Sequence, residues 1–233
     1  MGRPEKPVDR SVPARAELAD FLRALKADAG LTYERMATAS GGAPSKATLE
    51  RAASGRSVPA WDTVAAYVSL TMTPNTRLMS PWDPMRRARV LWICARRATR
   101  APYYLHKAPD PQMVWGVADF SRALRDQHVW AGCPTPGEME RMAGPGMLPS
   151  STTRRIIQGQ ILPVDPAQAI AFLTICDARE MVLWIEAGLR ALMNDRPHDV
   201  GTYAWVKAHK RMLAEQAESD DTAFADATVL NAA

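Results

Sequence analysis

The sequence predicts an all-α protein made of two similar helical bundles, and three observations carry that prediction. Four blocks recur in one order: Ala19-Asp20-Phe21-x-Arg23-Ala24-Leu25 as Ala118-Asp119-Phe120-x-Arg122-Ala123-Leu124, Glu34-Arg35-Met36-Ala37 as Glu140-Arg141-Met142-Ala143, Ser54-Gly55 to Pro59 as Gln158-Gly159 to Pro163, and Val90-Leu91-Trp92-Ile93 as Val182-Leu183-Trp184-Ile185. Such repetition, with loops of changing length between the blocks, marks two copies of one folded unit. Apolar residues fall at helical spacing, as in Leu18, Phe21, Leu22 and Leu25, which lays one stripe along a helix. Runs of alternating β-branched residues, the mark of half-buried strands, are missing.

In the first copy that stripe defines the first helix, and Gly30 closes it, since glycine accepts the left-handed turn that ends helices. Thr32 is placed to cap a short second helix with Met36 and Ala37 turned inward. After the turn Gly41-Gly42-Ala43-Pro44, Ser45 caps a third helix that runs to about Ser54 and ends at Gly55. A fourth helix follows Pro59 and carries Trp61, Val64, Ala65 and Val68. In the second copy Val117, Phe120 and Leu124 form the first stripe. Thr135-Pro136-Gly137-Glu138 is a capping box with proline at the first helical position. Ser150 or Ser151 caps the third helix, Gly159 ends it, and Pro163 precedes a fourth with Ile170, Phe172 and Leu173. Each copy therefore reads as a bundle containing a helix-turn-helix. Tyr203 to Gln216 reads as one more helix, with Trp205 as its anchor and Val206 and Met212 as further contacts.

Leu31-Thr32-Tyr33 through Ala37, then Ala47-Thr48-Leu49-Glu50-Arg51-Ala52-Ala53-Ser54-Gly55-Arg56 through Pro59-Ala60-Trp61, closely resemble the Cro/cI-type (XRE) helix-turn-helix domains common in actinobacteria. Gly2-Arg3-Pro4-Glu5-Lys6-Pro7 is similar to the leader that often precedes that domain. The likeness covers residues 2 to 70 well. It is looser over 116 to 178, where the loop Trp130 to Pro134 is longer and Met147-Leu148-Pro149 replaces the tight turn. The resemblance implies two tandem lambda-repressor-like bundles plus a C-terminal helix, with double-stranded DNA as partner. A transcriptional regulator, a repressor before an activator, is the expected role, with a homodimer as the expected assembly.

In such a fold the third helix lies in the major groove and its early residues reach base edges. The matching positions of the first copy are Lys46, Ala47, Glu50 and Arg51, with Leu49 and Ala52 inward. Lys46 and Arg51 can donate to guanine, and Ala47 can touch a thymine methyl. Glu50 either accepts from cytosine or holds Arg51 in place. Ser45, Thr48 and Arg56 suit phosphates, which fix register without reading sequence. In the second copy the matching positions are Ser150, Ser151, Arg154 and Arg155, with Thr152 and Gln160 nearby and Ile156 and Ile157 inward. That copy either reads DNA in the same way or serves packing or dimerisation. A partner protein bound by the helix-turn-helix units is the alternative to DNA.

Charge separates the copies. Residues 1–107 hold 18 Lys and Arg against 9 Asp and Glu, residues 108–214 hold 11 of each, and residues 215–233 hold five acids and no base. The positive field that collects a polyanion is therefore concentrated in the first half. Much of it lies in Arg86, Arg87, Arg89, Arg96, Arg97 and Arg100 around Val90-Leu91-Trp92-Ile93, a helix with an apolar docking face and an arginine face that either meets phosphate or is solvated. The expected organisation is a basic, mobile N-terminal arm (1–15), a first helix-turn-helix domain with a basic trailing helix (16–98), a linker (99–114), a second such domain (115–194), a C-terminal helix (195–217) and an acidic disordered tail (218–233). Ordered on DNA, Arg3, Lys6, Arg10 and Arg15 of the arm can follow the backbone or enter a minor groove.

Catalysis has little support. His106, His128, His198 and His209 show no ligand spacing, no cysteine pair has zinc spacing, and Gly144-Pro145-Gly146 is not followed by a phosphate-loop lysine. No enzyme, metal or cofactor is expected. Cys94, Cys133 and Cys176 are isolated and odd in number, which fits reduced thiols, with Cys94 and Cys176 as small core residues. No apolar run reaches the length of a membrane span and the N-terminus lacks a signal-peptide core, so a cytoplasmic protein on the nucleoid is expected.

Overall fold

The structure, a computed structural model, describes residues 5–72, 83–100, 107–195 and 201–230. Every regular element among them is helical, so the protein is all-α. By contacts the chain divides into two compact units, Met1–Pro102 and Tyr103–Ala233. The first contains α1 (Pro13–Asp28), α2 (Tyr33–Ala39), α3 (Lys46–Ala52), α4 (Trp61–Thr71) and α5 (Pro84–Arg100). The second opens with a 3-10 turn, Pro111–Met113. It continues with α6 (Val117–Trp130), α7 (Pro136–Ala143), α8 (Ser150–Ile157), α9 (Pro166–Ile175), α10 (Met181–Asp195) and α11 (Thr202–Leu230).

Each unit closes around its own core. In the first, Leu18 and Leu22 of α1, Met36 of α2, Leu49 of α3, Val64, Tyr67 and Val68 of α4 and Trp92 of α5 are all buried. The Trp92 ring is tilted against Trp61 at 5.5 Å, and its indole N–H donates to the Pro59 carbonyl at 2.8 Å, so the one polar atom of this side chain is satisfied. In the second, Phe120, Leu124, Met139, Phe172, Leu173 and Trp184 play the same part.

Caps and burial put the two units in register. The first helix ends at Ala29-Gly30 in one and at Ala131-Gly132 in the other, each glycine with positive φ. Thr32 and Thr135 are the next N-caps, and four residues on Met36 and Met139 are both fully buried. Residues 40–45 separate α2 from α3 and residues 144–149 separate α7 from α8, six in each case. Gly55 (φ 74°) and Gly159 (φ 72°) stand at the same distance from the starts of the third helices, Lys46 and Ser150. On the fourth, Val64, Tyr67, Val68 and Thr71 are buried as Ala169, Phe172, Leu173 and Cys176 are.

This register corrects two of the sequence echoes. Leu18, Leu22 and Leu25 correspond to Phe120, Leu124 and Gln127, not to residues three positions earlier, and Met36 corresponds to Met139 rather than Met142. A slip of three residues is close to one helical turn, so both registers keep an apolar stripe. The Ser54-Gly55 and Val90-Leu91-Trp92-Ile93 echoes are in register: Trp92 and Ile93 are buried, as Trp184 and Ile185 are.

Other expectations change at the edges. Residues 5–12 lie on the first unit rather than forming a detached arm: Asp9 N–H donates to the Ser54 carbonyl at 2.9 Å, Arg10 pairs with Asp20 at 3.0 Å, and α1 already begins at Pro13. Of the supposed linker, α5 takes residues up to Arg100, and Pro111 and Val114 are buried in the second unit, where Arg190 binds their carbonyls. The helix from Thr202 continues to Leu230, through much of the segment expected to be a disordered tail. Trp205 does anchor it, with its ring edge-on to Phe120 at 5.8 Å. Cys176 is buried, whereas Cys94 is only partly so. Arg3 of the arm, Ala101 to Tyr104 of the linker, His106 and His198 lie outside the described residues. No described helix is long and apolar enough to cross a membrane.

Candidate nucleic-acid interface

The helix pair α2 and α3 is built by local chemistry. The Thr32 side chain accepts from Arg35 N–H at 3.2 Å, and the Ser45 hydroxyl accepts from Thr48 N–H at 3.3 Å, so each helix start has a partner for one of its unpaired donors. Gly41 (φ 66°) and Gly42 (φ 87°) make the turn between them in a conformation that other residues adopt at a cost. Leu49 and Ala52 are buried at 0 % and 3 % exposure, and this fixes which side of α3 faces out.

That outward side carries the four expected residues: Lys46, Ala47, Glu50 and Arg51 are all exposed. Glu50 and Arg51 form no ion pair with each other or with any other described residue, so of the two readings of Glu50, holding Arg51 has no support here. Lys46 is engaged. Its ammonium sits 2.7 Å from Glu34 of α2, and this hydrogen bond raises its pKa above the ordinary lysine value. Thr48 is half-buried and bonded to the Ser45 hydroxyl at 3.0 Å, which leaves Ser45 and Arg56 the more accessible phosphate candidates.

Next to α3 lies a cleft of about 660 Å³ that sequence reasoning missed. Ala47, Glu50, Arg51 and Arg56 form one wall, and Lys6, Arg23, Lys26 and Tyr33 the other. Glu5 organises the second wall: it binds Arg23 at 3.1 Å, Lys26 at 2.9 Å and the Tyr33 hydroxyl. Partial burial works against its charge, but the Tyr33 and Lys26 hydrogen bonds, with the two cations, outweigh it and hold the Glu5 carboxyl below its ordinary value. Burial and the bond to Glu5 push the Tyr33 hydroxyl far up. Arg23 in turn donates to the carbonyls of Ala53 (2.8 Å) and Lys6 (2.9 Å), tying the N-terminal segment to the end of α3. The one sequence signal was a lone carboxylate in a basic stretch, and it gave no hint of its partners.

Part of the arginine face of α5 is structural. Arg96 is buried (2 % exposed) with its guanidinium 4.6 Å from the Trp92 ring centre. Arg89 lies 4.7 Å from both Trp61 and Trp92, and Arg87 lies over Phe21 at 5.6 Å. Cations stacked on aromatic faces stabilise the bundle, so the reading as a solvated or phosphate-facing row does not hold for Arg89 and Arg96, whereas Arg87 is exposed. Arg86 and Arg100 are exposed.

In the second unit, Thr135 and Glu138 form the expected capping box, with Glu138 N–H to Thr135 at 3.3 Å and Thr135 N–H to Glu138 at 2.7 Å. Neither Ser150 nor Ser151 caps α8. The N-cap is Pro149, which offers no side-chain acceptor, and both serines fall inside the first turn. Packing sets this start: Leu148 is fully buried, and the buried Thr153 hydroxyl donates to the Pro149 carbonyl at 3.0 Å. Ser151, Arg154, Arg155 and Gln160 are exposed, Ser150 and Thr152 half-buried, with Ile156 inward and Ile157 at the margin. His128 is a packing residue, bonded through Nε2 to the Pro134 carbonyl at 2.8 Å.

A comparison with family models finds a helix-turn-helix domain over residues 17–78. No curated protein and no solved structure matches the chain. The matched span takes in α1 to α4, so the first unit carries a helix-turn-helix domain whose third helix presents Lys46, Ala47, Glu50 and Arg51 to solvent.

Proposed function

We propose that the protein is a sequence-specific double-stranded-DNA-binding regulator of transcription, a repressor of the XRE type, built from two tandem helix-turn-helix domains and acting on the nucleoid. The observation that carries this is α3: anchored by Leu49 and Ala52, it exposes a row of base-reading residue types at the edge of a cation-lined cleft, in the half of the chain with excess positive charge. On DNA, Arg51 and Ala47 face the bases. Lys46 joins them on leaving Glu34, because a duplex phosphate or guanine edge competes for the same ammonium. Ser45, Arg56 and the cleft cations Lys6 and Lys26 serve the backbone. The role is binding, without catalysis, metal or cofactor.

In the second unit α8 occupies the equivalent place, with Ser151, Arg154 and Arg155 outward. A homodimer would use α11, which has no counterpart among the described residues of the first unit and exposes Tyr203 and Leu213.

The test is a preferred site selected from random duplexes, followed by Arg51→Ala. The variant loses about 1–3 kcal/mol on that site and far less on random DNA. Wild-type affinity falls steeply with salt as counterions are released. Equal losses on both DNAs reduce Arg51 to a phosphate contact, and salt-independent binding removes the DNA reading.

A further inference from the structure

The register between the units exposes a groove that is covered in one and open in the other. In the first unit residues 6–12 lie along one face of α1. Ala16 and Ala19 on that face are 3 % and 0 % exposed, yet neither belongs to the apolar core. Four contacts hold the segment: Asp9 N–H on the Ser54 carbonyl, Arg10 on Asp20, Arg23 on the Lys6 carbonyl, and a passage so close to Gly55 that a Cβ there would meet the Asp9 carbonyl.

The matching face of α6 carries Ala118, Ser121, Arg122 and Arg125, followed by Gly159 after α8. Among the described residues nothing covers that face in the same way. The preceding segment turns toward α10, where Arg190 binds the carbonyls of Pro111, Gln112 and Val114. Ala118 is exposed, and a groove of about 780 Å³ remains, with Ile161 and Trp205 in its lining and Val164, 74 % exposed, at its edge. Arg122 and Arg125 form no ion pair among the described residues.

The parts that hold the segment in the first unit are retained here, with one change of sign. Arg125 stands where Arg23 binds a main-chain carbonyl, and the Gln158 carbonyl stands where Ser54 receives Asp9 N–H. Beside Gly159 the Arg125 side chain, its Nε 3.2 Å from where a Cβ would stand and donating to the Ser121 carbonyl at 3.3 Å, takes the place that the Asp9 backbone has beside Gly55, so an occupant turns this guanidinium onto its own carbonyl. Arg122, however, stands where Asp20 receives Arg10. An occupant of the second groove must therefore place a carboxylate where the first unit's own segment places an arginine.

We propose that this groove of the second unit is the docking site for an extended acidic segment of a partner protein, a site that borders the DNA-reading row at Gln160 but does not include Ser151, Arg154 or Arg155. The occupant runs along α6 with its backbone on Gln158 and Arg125, a small apolar side chain toward Ile161, and an acid on Arg122.

Two synthetic hexapeptides test this on the full-length chain: Pro-Val-Asp-Glu-Ser-Val, and the chain's own Pro-Val-Asp-Arg-Ser-Val. Amide shifts of Ala118, Ser121 and Gly159 report occupancy. The Glu peptide is expected to move these signals and to bind about tenfold tighter than the Arg peptide. Arg122→Asp, which restores the first unit's sign, is expected to reverse that preference. Ala118→Trp, an exposed position, fills the groove and abolishes binding with the remaining spectrum unchanged. The proposal is overturned if neither peptide perturbs these amides at millimolar concentration, if both bind equally, or if the preference survives Arg122→Asp. A wild-type preference for the Arg peptide would point to the N-terminal segment of a second copy and would equally overturn it. Loss of DNA binding in other variants has no bearing on these readouts.

Discussion

Tyr67 and Phe172 hold the same place in their bundles, as do Val68 and Leu173, while on the third helices Lys46, Ala47 and Glu50 give way to Ser150, Ser151 and Arg154. Arg51 and Arg155 alone keep both identity and exposure in that row. Buried positions answer to volume and polarity, so their pattern persists through changed residues. The outward face of the third helix answers only to what it meets. The two units thus share a pattern of burial and differ in their outward rows, and the excess of cations lies with the first.

They also differ in how the fifth helix is covered. In the first unit Arg89 and Arg96 stack on Trp92. In the second the residue at the place of Arg96 is Gly188, and the missing side chain admits the Trp205 ring of α11, which a Cβ at that position would strike.

The largest effect tests whether the units are separate. Trp92→Ala and Trp184→Ala each empty the centre of a core and should cost about 3–5 kcal/mol. In calorimetry each is expected to lower the transition of its own unit only, and Trp92→Ala should take the larger share of specific DNA affinity with it. A shared fall would break the comparison.

Gly188→Ala sharpens it. Forcing a methyl against Trp205 costs about 1–3 kcal/mol through overpacking, shifts tryptophan fluorescence and loosens α11. An unchanged spectrum would mean that the glycine is incidental.

Much of this was legible in the sequence because it is local. The caps Thr32, Ser45 and Thr135, the closing glycines and the apolar stripes all act within a few residues, so the helices followed from spacing, and the outward face of α3 from the family resemblance. The failures are non-local. Glu5 finds Arg23, Lys26 and Tyr33 only once the chain has folded back on α1. Arg96 is buried because Trp92 offers a ring face, which a count of arginines does not reveal. The serine cap expected for α8 gave way to Pro149 because the burial of Leu148 and Thr153 fixes where that helix begins. The slipped echoes show that a three-residue error is invisible to periodicity.

The smallest expected effect concerns Glu5. Its carboxyl is held below the ordinary value of 4.5, so its contribution to stability is complete above that value and fades as pH falls through the lowered one. Glu5→Gln should therefore be less stable than the wild type at neutral pH, with the difference closing in acid, as read from urea midpoints across pH. Among the described residues the second unit has no such cluster at the matching place, so its own midpoint should not follow this change.

The central claim is that both units read DNA through their third helices, and hydroxyl-radical footprinting on the selected site tests it most directly. The footprint of each chain should comprise two unlike segments, since the exposed rows of α3 and α8 differ. The joint change Arg154→Ala and Arg155→Ala should shorten it on one side with folding intact, both residues being exposed. A footprint of unaltered length in that variant would contradict the claim and leave the first unit as the sole reader.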